Sequence, residues 1–353
     1  MHYNSFRPGK EWLDTDGKLI QAHGGSVIYA NGTFYWYGEN KEKTKPDNDI
    51  WHWGVRCYSS QDLYNWKDEG IIIPPNTEDP ESSLYPSVCM DRPHILYNKK
   101  TGKYVCWLKI MEKDGTQDMT VLISDKILGP YTMVKEHFRP FEMSAGDFDL
   151  DTDEDGKGYY YFEKVHTELI CAELSEDYTG TGERFTKHFE YGQPPYVREA
   201  PAHFVRNGKH YLITSGTTGY HPNPSEAAVA DDWHGPWKVL GDPHQEDKTL
   251  TSFNSQISCV FKHPEKQDLY IAMADRWLPN LPEEAGDKFY TGDAYRDTAK
   301  IFKRMFLPDN GEKQEDVNYG KDNTSISRYV WLPIYFHGEV PYIEWKDEWR
   351  IED

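Results

Sequence analysis

Short runs of alternating apolar and polar residues recur along the chain, and turn signals separate them in pairs. Asn31-Gly32, Thr101-Gly102-Lys103, Asp155-Gly156-Lys157 and Asn207-Gly208-Lys209 each stand between two such runs. Gly and Asn accept the positive φ that tight hairpins demand, so these are hairpin signals. The hairpins group into a repeated unit. The first copy covers Asn31 to Asn40 and Val55 to Ile73, and the second Arg92 to Ile110 and Thr120 to Val134. The third covers Gly146 to Lys164 with the TELICAELS that follows, and the fourth Ala200 to Gly216 and Asp231 to Gly241. A fifth begins at Ser255 to Trp277 and is completed by Arg328 to Phe336. A spacing on the order of 50 to 60 residues suits four-stranded blades that cover one another's faces. An α/β layout in two domains would need amphipathic stretches between the strands, and none is read as longer than about two turns. The pattern predicts an all-β chain, a single-domain five-bladed β-propeller over residues 1–353. The acidic, Gly- and Pro-bearing segment 279–323 interrupts the fifth unit and is expected to be a long insertion loop.

Charge narrows the choice of partner. With 39 Lys and Arg against 59 Asp and Glu, the formal net charge is −20. That repels phosphate backbones and anionic lipid, so neither nucleic acid nor membrane is an expected partner. Aromatic residues make up 15% of the chain, with 25 Tyr and 12 Trp, against a mean hydropathy of −0.82. Many rings must therefore lie on polar surfaces. Sugar-binding clefts use such rings, apolar in face and polar at the edge, although the same residues also suit strands. The chain as given shows no secretory h-region and no run of 18 apolar residues, so neither an export signal nor a membrane-spanning helix is expected. Cys57, Cys89, Cys106, Cys171 and Cys259 are widely spaced and without Cys-x-x-Cys, which predicts neither a disulfide framework nor a zinc site. These features point to a reducing cytoplasm; a chain trimmed of its leader would read identically and be secreted.

In a propeller the innermost strand of each blade ends at a shared central depression, so functional side chains should recur at one phase of the repeat. The five inner segments are Ala22 to Gly25 (AHGG), Asp91 to His94 (DRPH), Ser144 to Leu150 (SAGDFDL), Arg198 to Ala202 (REAPA) and Phe253 to Ser258 (FNSQIS). Each sets polar groups beside Gly, Pro or Ala, small residues that let a substrate approach the backbone. Taken singly they read as turn residues. Five in phase read as a site.

Here the chain resembles the family 43 glycoside hydrolases over most of residues 18–336. That resemblance implies a five-bladed propeller and inverting hydrolysis of arabinans, xylans or galactans. It also implies a general acid Glu, a general base Asp and a second Asp that tunes the acid, on successive blades. REAPA with Thr214 to Tyr220 (TSGTTGY) resembles the acid block and implies Glu199 as the acid. The third-blade block implies Asp147 as the tuning residue, with Asp149 in reserve. At the first-blade position of the base the chain reads QAHGGSVIY, with Gln21 and His23 but no carboxylate. In this it is similar to the exo-β-1,3-galactanase branch of the family, whose pattern it shows in Glu39, Asp91-Arg92-Pro93, Glu199, Gln256 and Asp275-Arg276-Trp277. That branch holds the attacking water with a Gln, which implies the role for Gln256. The branch more often has Arg before the third-blade Asp, where this chain has Gly146. Expected sugar contacts are Glu39, Asp91, Arg92, Trp107, Thr217, Tyr220, Asp275, Arg276 and Trp277, with Trp51 and Trp53 as further stacking candidates.

The physical demands stand apart from the resemblance. Inversion needs a protonated carboxyl on the leaving oxygen and a water on the opposite face, with roughly 6.5 to 9.5 Å between the groups that hold them. Glu199 must therefore keep its proton near neutral pH, through burial or through a neighbouring charge such as Asp147. A neutral amide orients water but scarcely takes its proton. Either Glu39 or Asp91 accepts it, or the amide relays it as an imidic acid. No cofactor is required. Some family members hold one calcium in the central channel, for which the chain offers only scattered His such as His94 and His203. Asp151, Asp153, Asp155 and Gly156 imitate a calcium loop, but Phe162 stands where a bidentate Glu is needed, so an acidic hairpin is expected. The expected partner is an oligo- or polysaccharide. The leading reading is an inverting exo-acting hydrolase releasing sugar from galactan side chains or β-1,3-galactan. Its rivals are an α-L-arabinofuranosidase or β-xylosidase on the same fold, and a glycan-binding propeller whose catalysis has decayed.

Overall fold

The computed structural model describes residues 2–190, 193–306 and 322–352. Within them, five antiparallel sheets of four strands are each built from strands consecutive in sequence. Blade one holds β1 (His23–Ala30), β2 (Thr33–Glu39), β3 (Val55–Ser60) and β4 (Lys67–Ile73). Blade two holds β5 (Cys89–Asn98), β6 (Lys103–Met111), β7 (Gln117–Ser124) and β8 (Thr132–Phe138). Blade three holds β9 (Ala145–Thr152), β10 (Gly158–Lys164), β11 (Glu168–Leu174) and β12 (Thr181–His188). Blade four holds β13 (Glu199–Arg206), β14 (Lys209–Ser215), β15 (Glu226–Ala230) and β16 (Lys238–Gly241). Blade five holds β17 (Gln256–Lys262), β18 (Tyr270–Arg276), β19 (Arg328–His337) and β20 (Val340–Ile343). The first strand of every blade is innermost, and β1, β5, β9, β13 and β17 pack against one another in a closed ring.

The hairpin signals account for the connections. Asn31 and Gly32 have φ of 51° and 79°, and Asn207 and Gly208 have 52° and 75°. Two successive positive φ angles make the turn whose twist matches the flanking strands. The acidic hairpin also forms: Asp153 N donates to Lys157 O at 3.0 Å, and Lys157 N donates to Asp153 Oδ1 at 2.8 Å.

Aromatic packing closes the ring between the first and last blades. Trp36 meets Tyr329 and Trp331 with ring centroids 4.5 and 4.6 Å apart, and Trp66 lies 5.3 Å away. Phe6, before the first blade, pairs with Trp349, after the last, through 2.9 and 3.1 Å backbone bonds and rings stacked at 4.2 Å. Each such buried ring contributes about 1.5 to 3 kcal/mol, so the seam is held by side chains rather than by a shared strand. Trp107 belongs to the same kind of packing between blades two and three. It is fully buried, its Nε1 donates to Tyr178 O at 2.8 Å, and its ring lies 5.0 Å from that of Tyr160.

The segment 279–323 is not simply a loop. It holds α1 (Leu281–Ala285), α2 (Asp287–Tyr290) and α3 (Asp293–Met305) between β18 and β19. At 13 residues α3 exceeds the two-turn limit read from sequence, and it buries Ala299 and Phe302. Residues 307–321 of the expected loop lie outside the described residues.

All five innermost strands share one irregularity. Ladder register shifts between His23 and Ser26, between Asp91 and His94, between Glu199 and Ala202 and between Ile257 and Cys259. In blade three it shifts likewise on β9, between Ala145 and Phe148, opposite Phe162 to Lys164 of β10. A bulge bends the strand and re-aims the side chains beside it. In three blades the turned residue has positive φ, with Gly24 at 60°, Arg92 at 54° and Ala200 at 47°. The Gly, Ala and Pro of AHGG, DRPH and EAPA thus serve the bulges rather than a substrate's approach. A Cβ on Gly24 would collide with the Glu39 carboxylate, and one on Gly25 with Tyr37 O.

Candidate active site

The bulged strand starts converge on a cavity of about 240 Å³. Glu199 and Gln256 open β13 and β17, Asp147 and Asp91 are third in β9 and β5, and Glu39 closes β2 opposite His23 of β1. All five line the cavity, as do Arg92, Thr217, Tyr220 and Trp277.

Gln256 is the hub of the hydrogen bonding. Its Oε1 accepts from Arg92 Nη2 at 2.6 Å and from Trp277 Nε1 at 3.2 Å. Its Nε2 donates to Ser215 Oγ at 2.9 Å and to Glu199 Oε1 at 3.3 Å. Two donors therefore fix which way the amide faces, and all four of its bonding positions are used. The same Arg92 Nη2 donates to Asp147 Oδ2 at 2.9 Å, while Arg92 N donates to Glu39 Oε1 at 2.9 Å. Arg92 Nη1 is buried with no protein partner among the described residues, a donor that a sugar hydroxyl would satisfy.

Two lysines set the charges. Lys109 Nζ lies 3.0 Å from Asp91 Oδ2 and 3.2 Å from Asp147 Oδ1. Lys41 Nζ lies 3.0 Å from Glu39 Oε2 and 3.8 Å from Asp91 Oδ1, and Trp51 Nε1 donates to Asp91 Oδ1 at 2.7 Å. Burial pushes the Glu199 carboxyl well above the ordinary range, the charges of Asp147 and Glu163 push it further, and Lys109 and Arg92 oppose them without prevailing. Burial would raise Asp147 too, but Arg92 and Lys109 outweigh it and hold this carboxyl below its usual value. Asp91 is likewise lowered against burial, by Lys109 and Lys41. Glu39 is raised, by burial and secondarily by Asp91, with Lys41 in opposition. Neighbouring carboxyls pushed in opposite directions are the arrangement by which one site holds a protonated acid beside an ionised partner.

Aromatic rings form one wall. Trp51 and Tyr220 stack with centroids 5.8 Å apart, and Tyr220 meets Trp277 at 5.0 Å. Trp107 is no part of it, because its position on β6 faces the core. Asp275 and Arg276 also stand back from the cavity. Asp275 accepts from His23 Nδ1 and Gly24 N, both at 2.9 Å, and so braces the first-blade bulge. Arg276 donates to Phe253 O at 2.9 Å and Asn254 O at 3.2 Å. Thr217 lines the cavity, but its hydroxyl donates to Val197 O at 3.1 Å. The first-blade position without a carboxylate is spent internally: Gln21 Oε1 accepts from Lys41 N at 3.2 Å and Gln21 Nε2 donates to Ser325 O at 3.1 Å.

Sequence reasoning missed Lys41, Lys109, Ser215, Glu163 and His166. His166 Nδ1 lies 2.6 Å from Glu163 Oε1, and a ring nitrogen of His166 and a carboxylate oxygen of Glu163 lie within 4.8 Å of a Glu199 carboxylate oxygen. No pattern in the chain separates these from ordinary strand-end and turn residues.

A second opening of about 880 Å³ lies at the other end of the inner strands, lined by His94, Asp149, Asp151, His203 and His210 among others. Asp149, the reserve candidate, sits here rather than in the cavity lined by Glu199 and Asp147. His94 Nδ1 lies 3.0 Å from Asp149 Oδ1, His203 N donates to Asp149 Oδ2 at 2.6 Å, and His203 Nδ1 lies 2.7 Å from Asp151 Oδ2. Calcium takes six to eight oxygen ligands. Carboxylates already bound to imidazole and amide N–H groups do not fit it.

A propeller that gathers a buried acid, an ionised partner and an aromatic wall in one small cavity is built like a glycoside hydrolase. The sequence profile of glycosyl hydrolases family 43 matches residues 21–280, and the chain belongs to that family. Among solved structures, a family 43 β-1,3-galactosidase is 31% identical, with a TM-score of 0.79 over 99% of this chain, which spans 64% of that protein. A second family 43 β-1,3-galactosidase, solved with galactodeoxynojirimycin, is 28% identical with a TM-score of 0.77, covering 98% of this chain and 100% of its own. An exo-β-1,3-galactanase from Clostridium thermocellum is 27% identical with a TM-score of 0.72, over 98% of this chain and 66% of that one. No curated protein sequence gives a significant match.

Proposed function

We propose that the protein removes terminal galactose from β-1,3-galactan or galactan side chains by single displacement, with Glu199 as general acid kept protonated by burial and by the charge of Asp147, and Gln256 as the holder of the attacking water. The observation that carries this reading is a pair of carboxyls on one cavity: Glu199, buried and without an ion pair to a lysine or arginine among the described residues, and Asp147, held by Arg92 at 2.9 Å and Lys109 at 3.2 Å. This arrangement raises the proton affinity of the first and lowers that of the second. At about 240 Å³ the cavity is below the roughly 300 to 1,000 Å³ of drug-sized ligand sites, which favours the end of a chain over a threaded polymer. Galactose is favoured because the similar structures carry β-1,3-galactosidase and exo-β-1,3-galactanase in their names.

The 3.3 Å contact between Gln256 and Glu199 is shorter than the roughly 6.5 to 9.5 Å that inversion needs between acid and water holder. A sugar ring must therefore part them. When Glu199 turns to the glycosidic oxygen, the N–H it releases becomes free to donate to a water on the far face. Of the carboxylates that could take that water's proton, Glu39 is the better base, since its proton affinity is raised while that of Asp91 is lowered. Carboxyl groups, an amide and water supply every step, and none runs through a metal.

Sugar release from β-1,3-galactan, arabinan, xylan and aryl furanosides tests the reading. Galactose from the first substrate alone supports it, whereas arabinose or xylose release would assign the site to an arabinofuranosidase or xylosidase. Binding of galactan with no release of any sugar would leave a glycan-binding propeller, a reading favoured by the internal use of Gln21 and His23 at the usual position of the base.

A further inference from the structure

We infer that Gln117, His166 and Phe306 form a subsite for the leaving-group sugar beside Glu199, so that the helical insertion of blade five takes part in choosing what the terminal sugar is attached to. The inference rests on Glu199 being the general acid. Its carboxyl must reach the glycosidic oxygen, so groups close to that carboxyl on the cavity side flank the bond being cut. His166, in the turn between β10 and β11, satisfies this because one of its ring nitrogens lies within 4.8 Å of carboxylate oxygens of Glu199 and Glu163. Its Nδ1 is held by Glu163 Oε1 at 2.6 Å, which fixes the ring and leaves Nε2 for a sugar hydroxyl.

Phe306 directly follows α3 and meets the His166 ring edge-on, with centroids 5.1 Å apart. It lines the cavity and remains 37% exposed, offering a pyranose an apolar surface. Gln117, first in β7, supplies the polar floor. It is buried, it lines the same cavity, and its Oε1 has no hydrogen-bond partner among the described residues. A buried acceptor of this kind calls for a donor, and sugar hydroxyls are the donors this cavity would admit. Gly146 makes the arrangement possible, since a Cβ there would stand 2.5 Å from Glu163 Oε2 and 3.3 Å from Gln117 Oε1. Trp51, Tyr220 and Trp277 form a separate aromatic wall beside Asp91 and Gln256, which leaves that side to the terminal sugar. The ligand is thus a neutral pyranose, the second unit of the glycan.

Calorimetric titration of a Glu199→Gln protein, which retains the pocket without its acid, separates the two positions. β-1,3-galactobiose should bind more tightly than galactose. Phe306→Ala and Gln117→Leu, each added to that background, should weaken galactobiose by roughly three- to tenfold, the size of one lost contact or hydrogen bond, while galactose binds as before. Unchanged galactose binding also reports that the variants fold. Equal weakening of both sugars, or no change in either, overturns the subsite. If the Glu199→Gln protein binds neither sugar, the galactose reading itself fails and the subsite falls with it.

Discussion

Replacing Asp147 by Asn should move the alkaline limb of the activity profile to lower pH. Asn keeps the shape of the side chain but removes a negative charge from beside Glu199. In the native protein burial is the largest influence raising Glu199, Asp147 the next, and Lys109 and Arg92 pull the other way. The substitution removes one raising influence. It also strips both cations of a counter-charge, since Arg92 and Lys109 contact Asp147 at 2.9 and 3.2 Å, so the two consequences act in the same direction. A close charge shifts a carboxyl by about 1 to 3 units. The acid works protonated, and activity is lost as pH rises through its pKa. A lowered pKa therefore brings that loss on earlier by the same 1 to 3 units, and on the falling limb each unit is about tenfold in rate. kcat/KM should be measured from acidic to alkaline pH on galactan and on an aryl galactoside with a good leaving group, with Tm followed in parallel. The variant should regain activity as the pH is lowered, and the aryl substrate should suffer less. An alkaline limb that stays in place, or a loss equal at every pH, would show that Asp147 does not set the acid's proton affinity.

Glu199→Gln should slow galactan hydrolysis by roughly 10²- to 10⁴-fold, and near-normal turnover would remove Glu199 from the mechanism. Gln256→Ala should abolish turnover while galactose still binds; a raised KM with kcat intact would instead make Gln256 a sugar contact. Trp107→Phe gives up the bond to Tyr178 O and leaves a gap in the packing. It should cost about 1 to 3 kcal/mol in denaturant unfolding with KM unaltered, whereas a raised KM at native stability would return Trp107 to the sugar wall.

Four of the blades were legible because the hairpin between their two inner strands announces itself locally, through an Asn-Gly or Gly-Lys turn; the fifth, whose inner strands are joined by residues 263–269 without Gly or Asn, was read from its alternating strands. The site was legible because a closed ring of inner strands turns one phase of a repeat into one place, which brought together Glu199, Asp147, Gln256 and Asp91, while Glu39 enters from the end of β2 opposite His23. The resemblance to the galactanase branch overreached at Asp275. That residue pairs with Gln256 across the ladder, yet its carboxylate is claimed by His23 and Gly24 of the next blade, a contact between residues some 250 positions apart. Trp107 was misread because an aromatic on a strand looks the same whether it faces a sugar or a neighbouring blade. Tyr295, Ala299 and Phe302 carry the four- and three-residue spacing of a helix face, but the acidic, Gly- and Pro-bearing composition around them favoured a loop. Lys41 and Lys109 carried no signal, since a lysine at a strand end is ordinarily solvated, and only the assembled ring sets these two against buried carboxylates.

The anomer of the first sugar released tests the central claim most directly. Proton NMR of a β-1,3-galactan digest, recorded before mutarotation equilibrates the product, should show α-galactose appearing first, because a single displacement at a β-linkage inverts the anomeric carbon. β-Galactose appearing first would require a covalent intermediate and would contradict the roles given to Glu199 and Gln256.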